Sequence, residues 1–136
     1  MSTQYVRPEY PHSKTTGAII QAAKTVHREL GPGYRELIYQ RALALEFAAQ
    51  GLDFSREAWI DVYYRGQKVG SKRVDFIVDV VMVETKAKAE FNDVDYIQTL
   101  SYLKASGYTV GLLLNFGAKQ LAIKRFVNEK QDRSGR

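Results

Sequence analysis

The stretch over residues 73–86 constrains the fold most, because it reads RVDFIVDVVMVETK and joins two apolar segments that carry few charges. Short apolar runs rich in valine and isoleucine are typical of buried strands. Side chains alternate between the two faces of a strand, so Glu84 and Lys86 share one face. A tight chain reversal at Asp79 and Val80 would place Asp75 opposite Glu84. The stretch therefore predicts a hairpin with an acidic pair beside a lysine.

Two carboxylates that face each other across a strand pair repel, so a positive group is expected between Asp75 and Glu84. Carboxylate oxygens suit Mg²⁺, which keeps several waters and bridges to a phosphate oxygen. An ammonium at Lys86 can neutralise an attacking hydroxide or the charge that develops during phosphodiester hydrolysis. The alternative is a set of cross-strand ion pairs facing solvent, since the D-x₈-E-x-K spacing is loose enough to arise by chance.

The rest of the chain places helices before and after this hairpin. In order, the pattern predicts a helix capped by Thr15 or Thr16 and ending near Leu30, a helix over about 35–50, strands over 58–64, 69–78 and 81–87, a helix capped by Asn92 or Asp93 and ending near Ser106, and strands over 108–115 and 120–126. This order predicts an α/β or α+β sheet flanked by helices. A chain of 136 residues suffices for one core, so we expect a single domain over 13–127, an extended arm over 1–12 and a flexible tail over 128–136.

Composition narrows the function classes only modestly. The net charge of +5 favours polyanionic partners such as nucleic acid, although the basic residues are scattered along the chain. The absence of cysteine excludes disulfides, thiolate zinc sites and cysteine nucleophiles. No apolar run reaches the roughly 18 residues of a membrane span and no secretory signal is visible, so a cytoplasmic protein without membrane contact is expected.

Three polar residues on the predicted helices are further candidates. Glu36 aligns at helical spacing with Leu43 and Phe47, and a carboxylate among apolar neighbours is usually paired, protonated or metal-bound. The alternative is an exposed first-turn glutamate stabilised by the helix dipole. Gln98 and Tyr102 lie four residues apart, so both project from one helix face and can grip a phosphate or hold a water. Ordinary amphipathic helices show such pairs often.

Taken together, these residues resemble the GxxExxY proteins of the PD-(D/E)xK nuclease superfamily. The first motif is GYRELIY over 33–39, the second joins Asp75 to the ETK of 84–86, and QTLSY over 98–102 resembles the QxxxY helix of an exonuclease-like branch. YYRG over 63–66 and GLLLNFG over 111–117 extend the likeness to about 15–127. Two positions depart from the pattern: Val74 stands where a proline often precedes the aspartate, and Thr85 where an aliphatic residue is common.

The resemblance implies a restriction-endonuclease-like central mixed β-sheet flanked by helices and a nuclease that uses Mg²⁺, with Mn²⁺ as a substitute. It implies that Asp75, Glu84, Glu36 and the Thr85 carbonyl bind the metal, that Lys86 positions or activates water, and that Gln98 and Tyr102 orient phosphate or catalytic groups. DNA is favoured over RNA, and a homodimer would suit an enzyme that cuts both strands. The alternatives are a non-catalytic module that binds nucleic acid or protein, and a structural subunit with an incidental basic surface. The intact set of acidic residues argues against the non-catalytic module.

Overall fold

The computed structural model describes residues 12–128, so nearly all of the predicted arm and tail lies outside the described residues. The elements are α1 (Ser13–Leu30), α2 (Glu36–Ala49), β1 (Phe54–Tyr64), β2 (Gln67–Val78), β3 (Val81–Lys86), α3 (Asp93–Ser106), β4 (Val110–Asn115) and β5 (Ala122–Val127). The strands form one sheet in the order β1-β2-β3-β4-β5. β3 and β4 are parallel and the other neighbours antiparallel. The predicted mixed sheet with flanking helices is confirmed.

Both faces of the sheet carry an apolar cluster. The cluster beneath α1 and α2 includes Ile19, Ala23, Tyr39, Leu43, Phe47, Phe76, Val83, Leu112 and Phe116. The cluster beneath α3 includes Ile60, Val74, Ile77, Met82, Leu103, Leu113 and Phe126. A fully buried Leu, Ile, Val or Phe side chain contributes about 1.5–3 kcal/mol relative to an exposed one. The central strands are therefore buried on both sides, which accounts for their nearly continuous apolar sequence.

The start of α1 differs from the prediction, because the helix begins at Ser13 rather than after a threonine cap. The Thr15 hydroxyl donates to Asp79 Oδ2 at 3.3 Å, and the Thr16 hydroxyl donates to the Ser13 carbonyl at 3.1 Å. Neither hydroxyl caps the helix. The Thr16 amide instead donates to the His12 carbonyl at 3.0 Å, so the first helical hydrogen bond forms earlier in the chain.

The β1–β2 hairpin rotates sharply near its middle. Its ladder runs from Phe54↔Val78 to Arg56↔Phe76 and resumes at Ala58↔Val74, while the intervening Glu57 has a left-handed φ of 54°. Phe76 packs beneath α2, whereas Val74 packs beneath α3. Residues two apart in a regular strand share a face. The hairpin therefore rotates at Asp75. Beyond that residue, side chains that would face α2 in a regular strand face α3 instead.

The β2–β3 turn sets the register on which the site depends. The pairs are Phe76↔Val83, Ile77↔Met82 and Val78↔Val81, so the predicted tight reversal after β2 is confirmed. The next step of this register would pair Asp75 with Glu84, but the ladder ends at Phe76 and Val83. The two strands separate at that step, which leaves the backbone groups of both residues open to side-chain partners.

At the carboxyl end of the described chain, Asn128 is 3% exposed. Its amide donates to the Thr109 carbonyl at 2.7 Å and its side chain to the Tyr108 carbonyl at 3.3 Å. Ordered packing thus includes the first residue of the segment predicted as a tail. None of the helices within residues 12–128 is long and apolar enough to cross a membrane.

Candidate active site

Asp75, Glu84 and Thr85 interlock where β2 and β3 separate. The Asp75 amide donates to Glu84 Oε1 at 2.8 Å. In return, the Thr85 amide and the Thr85 hydroxyl each donate to Asp75 Oδ2 at 2.7 Å. From α2, Gln40 Nε2 donates to the Thr85 hydroxyl at 3.2 Å. Hydrogen bonds from side chains thus take the place of the next backbone pair between the strands. The structure brings these three predicted site residues into direct contact.

Lys72 is a site residue that the sequence did not reveal. Its ammonium lies 3.3 Å from Glu84 Oε2 and 5.7 Å from the centroid of the Tyr102 ring. In an unbroken strand pair Lys72 would face away from Glu84, since it would lie opposite residue 87. The rotation at Asp75 turns it toward Glu84. No sequence motif marks that rotation, so no pattern could have shown the contact.

The electrostatics of Glu84 follow from its burial. Only 7% of the residue is exposed, and desolvation raises the pKa of its carboxyl above the ordinary range. The neighbouring Asp75 charge raises it further, while the Lys72 ammonium and the Asp75 amide lower it. Burial and repulsion prevail over pairing. Glu84 is therefore a carboxylate whose charge the fold tolerates poorly in the absence of a stronger cation.

Glu36 joins this set from the first turn of α2. It is half-buried, which lies between the buried and the exposed positions that the sequence left open. Desolvation raises the pKa of its carboxyl, and the Asp75 charge raises it as well. Lys86 and Lys72 act in the opposite direction. These influences place Glu36 within electrostatic range of the β2–β3 separation, although no hydrogen bond joins Glu36 to Asp75 or Glu84 in the described part of the chain.

Tyr39 fixes the entry to α2 and has a structural role. It is fully buried, and its ring stacks on Phe116 with centroids 4.8 Å apart. Its hydroxyl donates to the Gly31 carbonyl at 2.6 Å and accepts from the Tyr34 amide at 3.1 Å. Gly33, with a φ of 116°, supplies a backbone conformation that other residues rarely adopt. The tyrosine and glycine thus hold the loop that aims the helix start at the site.

Lys86 ends β3 and is half-buried. It lies two residues beyond Glu84 on the same strand, which places both on one face as predicted. Beyond it, the fully buried Asn115 side chain accepts from the Lys88 amide at 3.0 Å and donates to the Lys88 carbonyl at 2.8 Å. A Cβ at position 117 would collide with the backbone of residues 87 and 88, so Gly117 permits this close approach. Asn115 is a second supporting residue that the sequence did not single out.

The start of α3 is tied to the same segment. Asn92 and Asp95 form a capping box, with hydrogen bonds of 3.1 and 2.9 Å between each side chain and the other residue's amide. The Lys88 ammonium lies 2.9 Å from Asp95 Oδ2. Burial opposes ionisation of Asp95, but hydrogen bonds from Lys88 and the Asn92 amide, with the Lys88 and Lys86 charges, lower the pKa of its carboxyl overall. The predicted cap at Asn92 is confirmed.

The two predicted residues on α3 differ in their surroundings. Tyr102 is half-buried, with the Lys72 ammonium near its ring, so it adjoins the acidic set. Gln98 is exposed one turn earlier on the helix. Of the two, Tyr102 contacts Lys72, which in turn pairs with Glu84.

The donor chemistry fits a hard divalent cation, although the described residues do not form a complete cage. Within residues 12–128, no three acidic, histidine or cysteine side chains form a group that could hold a metal ion. Glu84 uses both oxygens, on the Asp75 amide and on Lys72, and Asp75 uses Oδ2 on Thr85. The mutual repulsion that raises the pKa of Glu84 is the kind of strain that a bound cation relieves.

The family comparison agrees with this geometry. A family model described as the PD-(D/E)XK nuclease superfamily matches residues 13–126, which is most of the chain. The chain belongs to the PD-(D/E)XK nuclease superfamily. No curated protein and no solved structure was found to match. The mixed sheet and its helices are consistent with the restriction-endonuclease-like fold of PD-(D/E)XK proteins, which are usually nucleases and typically use divalent metals.

Proposed function

We propose that this PD-(D/E)XK protein is a Mg²⁺-dependent nuclease of the GxxExxY group that hydrolyses phosphodiester bonds in nucleic acid, with DNA favoured over RNA. The observation that carries the proposal is the interlock of Asp75 with Glu84 and Thr85, with Lys86 at the end of the same strand. A protein that only binds gains nothing from a buried carboxylate held beside another. Such strain is common where a site must receive a cation or a substrate.

The proposed roles rest on the oxygen atoms that these residues can offer to a hard cation. Asp75 and Glu84 would hold Mg²⁺, or Mn²⁺ in its place, together with the Thr85 carbonyl, and Glu36 would complete the acidic set. When bound, the ion withdraws charge from a phosphate oxygen and lowers the pKa of a coordinated water. Lys72 supplies the Glu84 counter-charge in the described structure, and near a phosphate its ammonium can exchange that partner for a phosphate oxygen.

Lys86 and the α3 residues act on the reacting groups. The Lys86 ammonium donates hydrogen bonds to the attacking water and offsets negative charge as it develops on the phosphate. The Tyr102 hydroxyl and the Gln98 amide donate to phosphate oxygens and hold the scissile bond in line. Together these residues provide donors from β3 and α3, while the carboxylates of β2, β3 and α2 would hold the metal.

The direct test is a cleavage assay with Mg²⁺ or Mn²⁺ on single- and double-stranded DNA and on RNA. Lys86→Ala should reduce cleavage by on the order of 10²-fold or more, because it removes a donor aimed at transition-state charge. Lys104→Ala, at an exposed position in the last turn of α3, is the matched lysine control and should cleave normally. Chelator should abolish cleavage by the wild type and by Lys104→Ala. Full activity in Lys86→Ala, or cleavage that persists in chelator, would contradict the mechanism.

A non-catalytic module that binds nucleic acid or protein is the second candidate. It is favoured by one observation: both Glu84 oxygens already have protein partners. Calorimetry with Mg²⁺ separates the two functions, because a nuclease should bind the ion and Asp75→Ala should weaken that binding at least tenfold. A non-catalytic module should release no heat of Mg²⁺ binding at this site, in the wild type or in Asp75→Ala.

A cytoplasmic location and a homodimer also stay predictions. A dimer would supply two sites related by symmetry, one for each strand of a duplex. Sedimentation velocity over a range of concentrations tests it directly, and a monomer at all concentrations would contradict it.

A further inference from the structure

The outer half of the β1–β2 hairpin projects beyond the rest of the sheet. β1 and β2 pair along nearly their whole length, whereas the β2–β3 ladder covers only Phe76, Ile77 and Val78. β1 is an edge strand, so within residues 12–128 the hairpin beyond Asp75 has no third strand beside it. Near Asp75 one of its faces is covered, since Ala58 and Ile60 pack into the cluster beneath α3. The other face is open.

The open face carries two large aromatic side chains. Trp59 is 64% exposed and Tyr63 is 62% exposed. Both alternate with Ile60, so they point away from α3. Four residues of strand separate them by about 13 Å. Exposed aromatic rings that share one face and lie beside cations are typical of a surface that contacts another molecule.

Cations lie between and beside the rings. Arg73 is opposite Trp59 in the ladder, and its guanidinium carbon lies 5.7 Å from a ring centroid of that tryptophan. Lys68 is opposite Tyr63, and its ammonium lies 3.3 Å from Asp61. A depression of about 430 Å³ on this face is lined by Trp59, Asp61, Lys68 and Ser71. The aromatic face, as we call the surface of Trp59, Asp61, Tyr63, Lys68, Ser71 and Arg73, therefore combines stacking platforms with a net positive charge.

We propose that the aromatic face binds single-stranded nucleic acid next to the site at Asp75. Unpaired bases can stack on the exposed rings, while Arg73 and Lys68 contact phosphates. In a duplex the flat faces of the bases are covered by their neighbours, so stacking on protein rings selects single strands. Arg73 lies two residues before Asp75 on β2, about 7 Å along the strand. The inference rests on the proposed nuclease function and names its substrate class.

The sequence contains one tryptophan beside nine tyrosines, so fluorescence excited at the red edge, where only the indole absorbs, reports on Trp59. An oligothymidine strand and a duplex of the same length are titrated into the full chain in chelator, where cleavage is blocked. Stacking predicts saturable quenching by the single strand, with at least tenfold weaker binding of the duplex. Added salt should weaken binding, since phosphate contacts release counterions.

Variants then assign the binding to this face by anisotropy of a labelled strand. Trp59→Ala and Tyr63→Ala should each weaken binding about tenfold, or about 1.4 kcal/mol, and Trp59→Phe should retain most of the affinity. Tyr64→Ala is the matched control, because this 66% exposed tyrosine is adjacent in β1 and points to the opposite face. Circular dichroism verifies that each variant is folded. Equal losses for Tyr63→Ala and Tyr64→Ala would overturn the proposal, as would equal affinity for duplex and single strand.

Self-association through the free edge of β1 is the competing use of this surface. A dimer that Trp59→Ala disrupts, in a protein that binds no oligonucleotide, would overturn the proposal. The cleavage assay keeps the two levels apart. Mg²⁺-dependent cleavage with no effect of Trp59→Ala on binding would reject the aromatic face and leave the nuclease function intact. Trp59-dependent binding without cleavage of any substrate would support the face and reject the nuclease function.

Discussion

Glu84 is a residue of the proposed site whose charge opposes folding. Its carboxylate is desolvated and repelled by Asp75, and Lys72 offsets these effects only in part. A buried charge that keeps a hydrogen-bond partner but lacks full compensation lowers stability. The fold holds the residue in place through the Asp75 amide, so its position is set by the strand geometry.

Replacing Glu84 by glutamine should therefore stabilise the protein. A folded-state pKa above the unfolded value favours folding at low pH, and this contribution is lost as pH rises through the folded pKa. At pH 7 the amide removes the disfavoured charge and keeps an acceptor for the Asp75 amide. We expect an increase in the free energy of unfolding on the order of 1 kcal/mol, with loss of cleavage.

Thermal melts of Glu84→Gln from acid to neutral pH measure this gain. It should disappear below about pH 4, where Glu84 of the wild type is protonated and therefore as neutral as the glutamine. Glu90→Gln, at an exposed loop position, is the control and should change Tm little at any pH. A lower Tm for Glu84→Gln at pH 7 would show that the Lys72 ion pair outweighs burial and repulsion.

At the residue scale, the sequence predicted contacts that depend on regular geometry. Strand alternation and a two-residue turn were enough to pair Asp75 with Glu84. Lys72 and Asn115 could not be predicted, because one depends on a local rotation of β2 and the other on two segments 27 residues apart meeting through a side chain. Glu36 was expected either buried or exposed and lies between, since only the packed helix sets its depth.

Among the elements, α3 depends on charged contacts at its first turn. Asp95 is 4% exposed, accepts from the Asn92 amide and pairs with Lys88. These contacts lower the pKa of its carboxyl, so its stabilising contribution is present above the unfolded pKa and is lost as pH falls through the folded pKa. The helix start should loosen in acid.

Asp95→Asn should lower stability at neutral pH by about 1 kcal/mol, the size of a weakened helix cap, because the amide keeps the cap acceptor but loses the Lys88 charge pair. The difference from wild type should begin to shrink below about pH 4, where Asp95 of the unfolded chain takes up a proton, and should be lost as pH falls further through the lowered pKa of the folded carboxyl. Urea unfolding at pH 7 and pH 3 measures both values. Asp93→Asn, at an exposed position in the same turn, is the control. An equal loss at both pH values would contradict the electrostatic account.

The β1–β2 hairpin was predicted as an element, but its rotation was not. Glu57 has a φ of 54° without being glycine, and no residue-type signal announces that conformation. The rotation is what turns Lys72 toward Glu84 and Trp59 away from α3. Glu57→Gly should therefore leave Tm unchanged or raise it, since glycine adopts this φ freely.

Glu57→Val is the matched opposite substitution. A β-branched residue strongly disfavours this region, so we expect a loss of about 1–3 kcal/mol. Because residue 57 is exposed, burial changes little in either variant. Thermal melts of the pair isolate the backbone effect. Equal stability of the two variants would show that the left-handed φ is not required.

At the scale of the whole molecule, the site forms where β2 and β3 separate, and helices approach it from both faces of the sheet. α2 brings Glu36 from one side, and α3 brings Tyr102 toward Lys72 from the other. The order of elements, and hence the mixed sheet, could be predicted from sequence because each segment carries a strong local pattern. The convergence of the two helices could not, since it depends on how both apolar clusters pack.

We predict that Gln98 and Tyr102 contact substrate rather than support the core. Leu103 is fully buried and anchors α3, whereas Gln98 is exposed and Tyr102 half-buried. Tyr102→Phe keeps the ring beside Lys72 and removes only the hydroxyl, and Gln98→Ala removes a solvent-facing amide. Both should change the free energy of unfolding by well under the roughly 3–5 kcal/mol lost when a buried aromatic is truncated.

Cleavage should nevertheless fall on the order of 10²-fold in each variant if the lost group is aligned with transition-state charge. Single-turnover rates, measured beside thermal melts, separate that loss from weaker binding, because losing a contact made equally in the ground state and the transition state raises KM and leaves kcat unchanged. Ser101→Ala, at an exposed position on α3, should behave as wild type in both measurements. Strong destabilisation together with normal specific activity in the folded fraction would show that Gln98 and Tyr102 support the helix, and that substrate is held by the β2 and β3 residues alone.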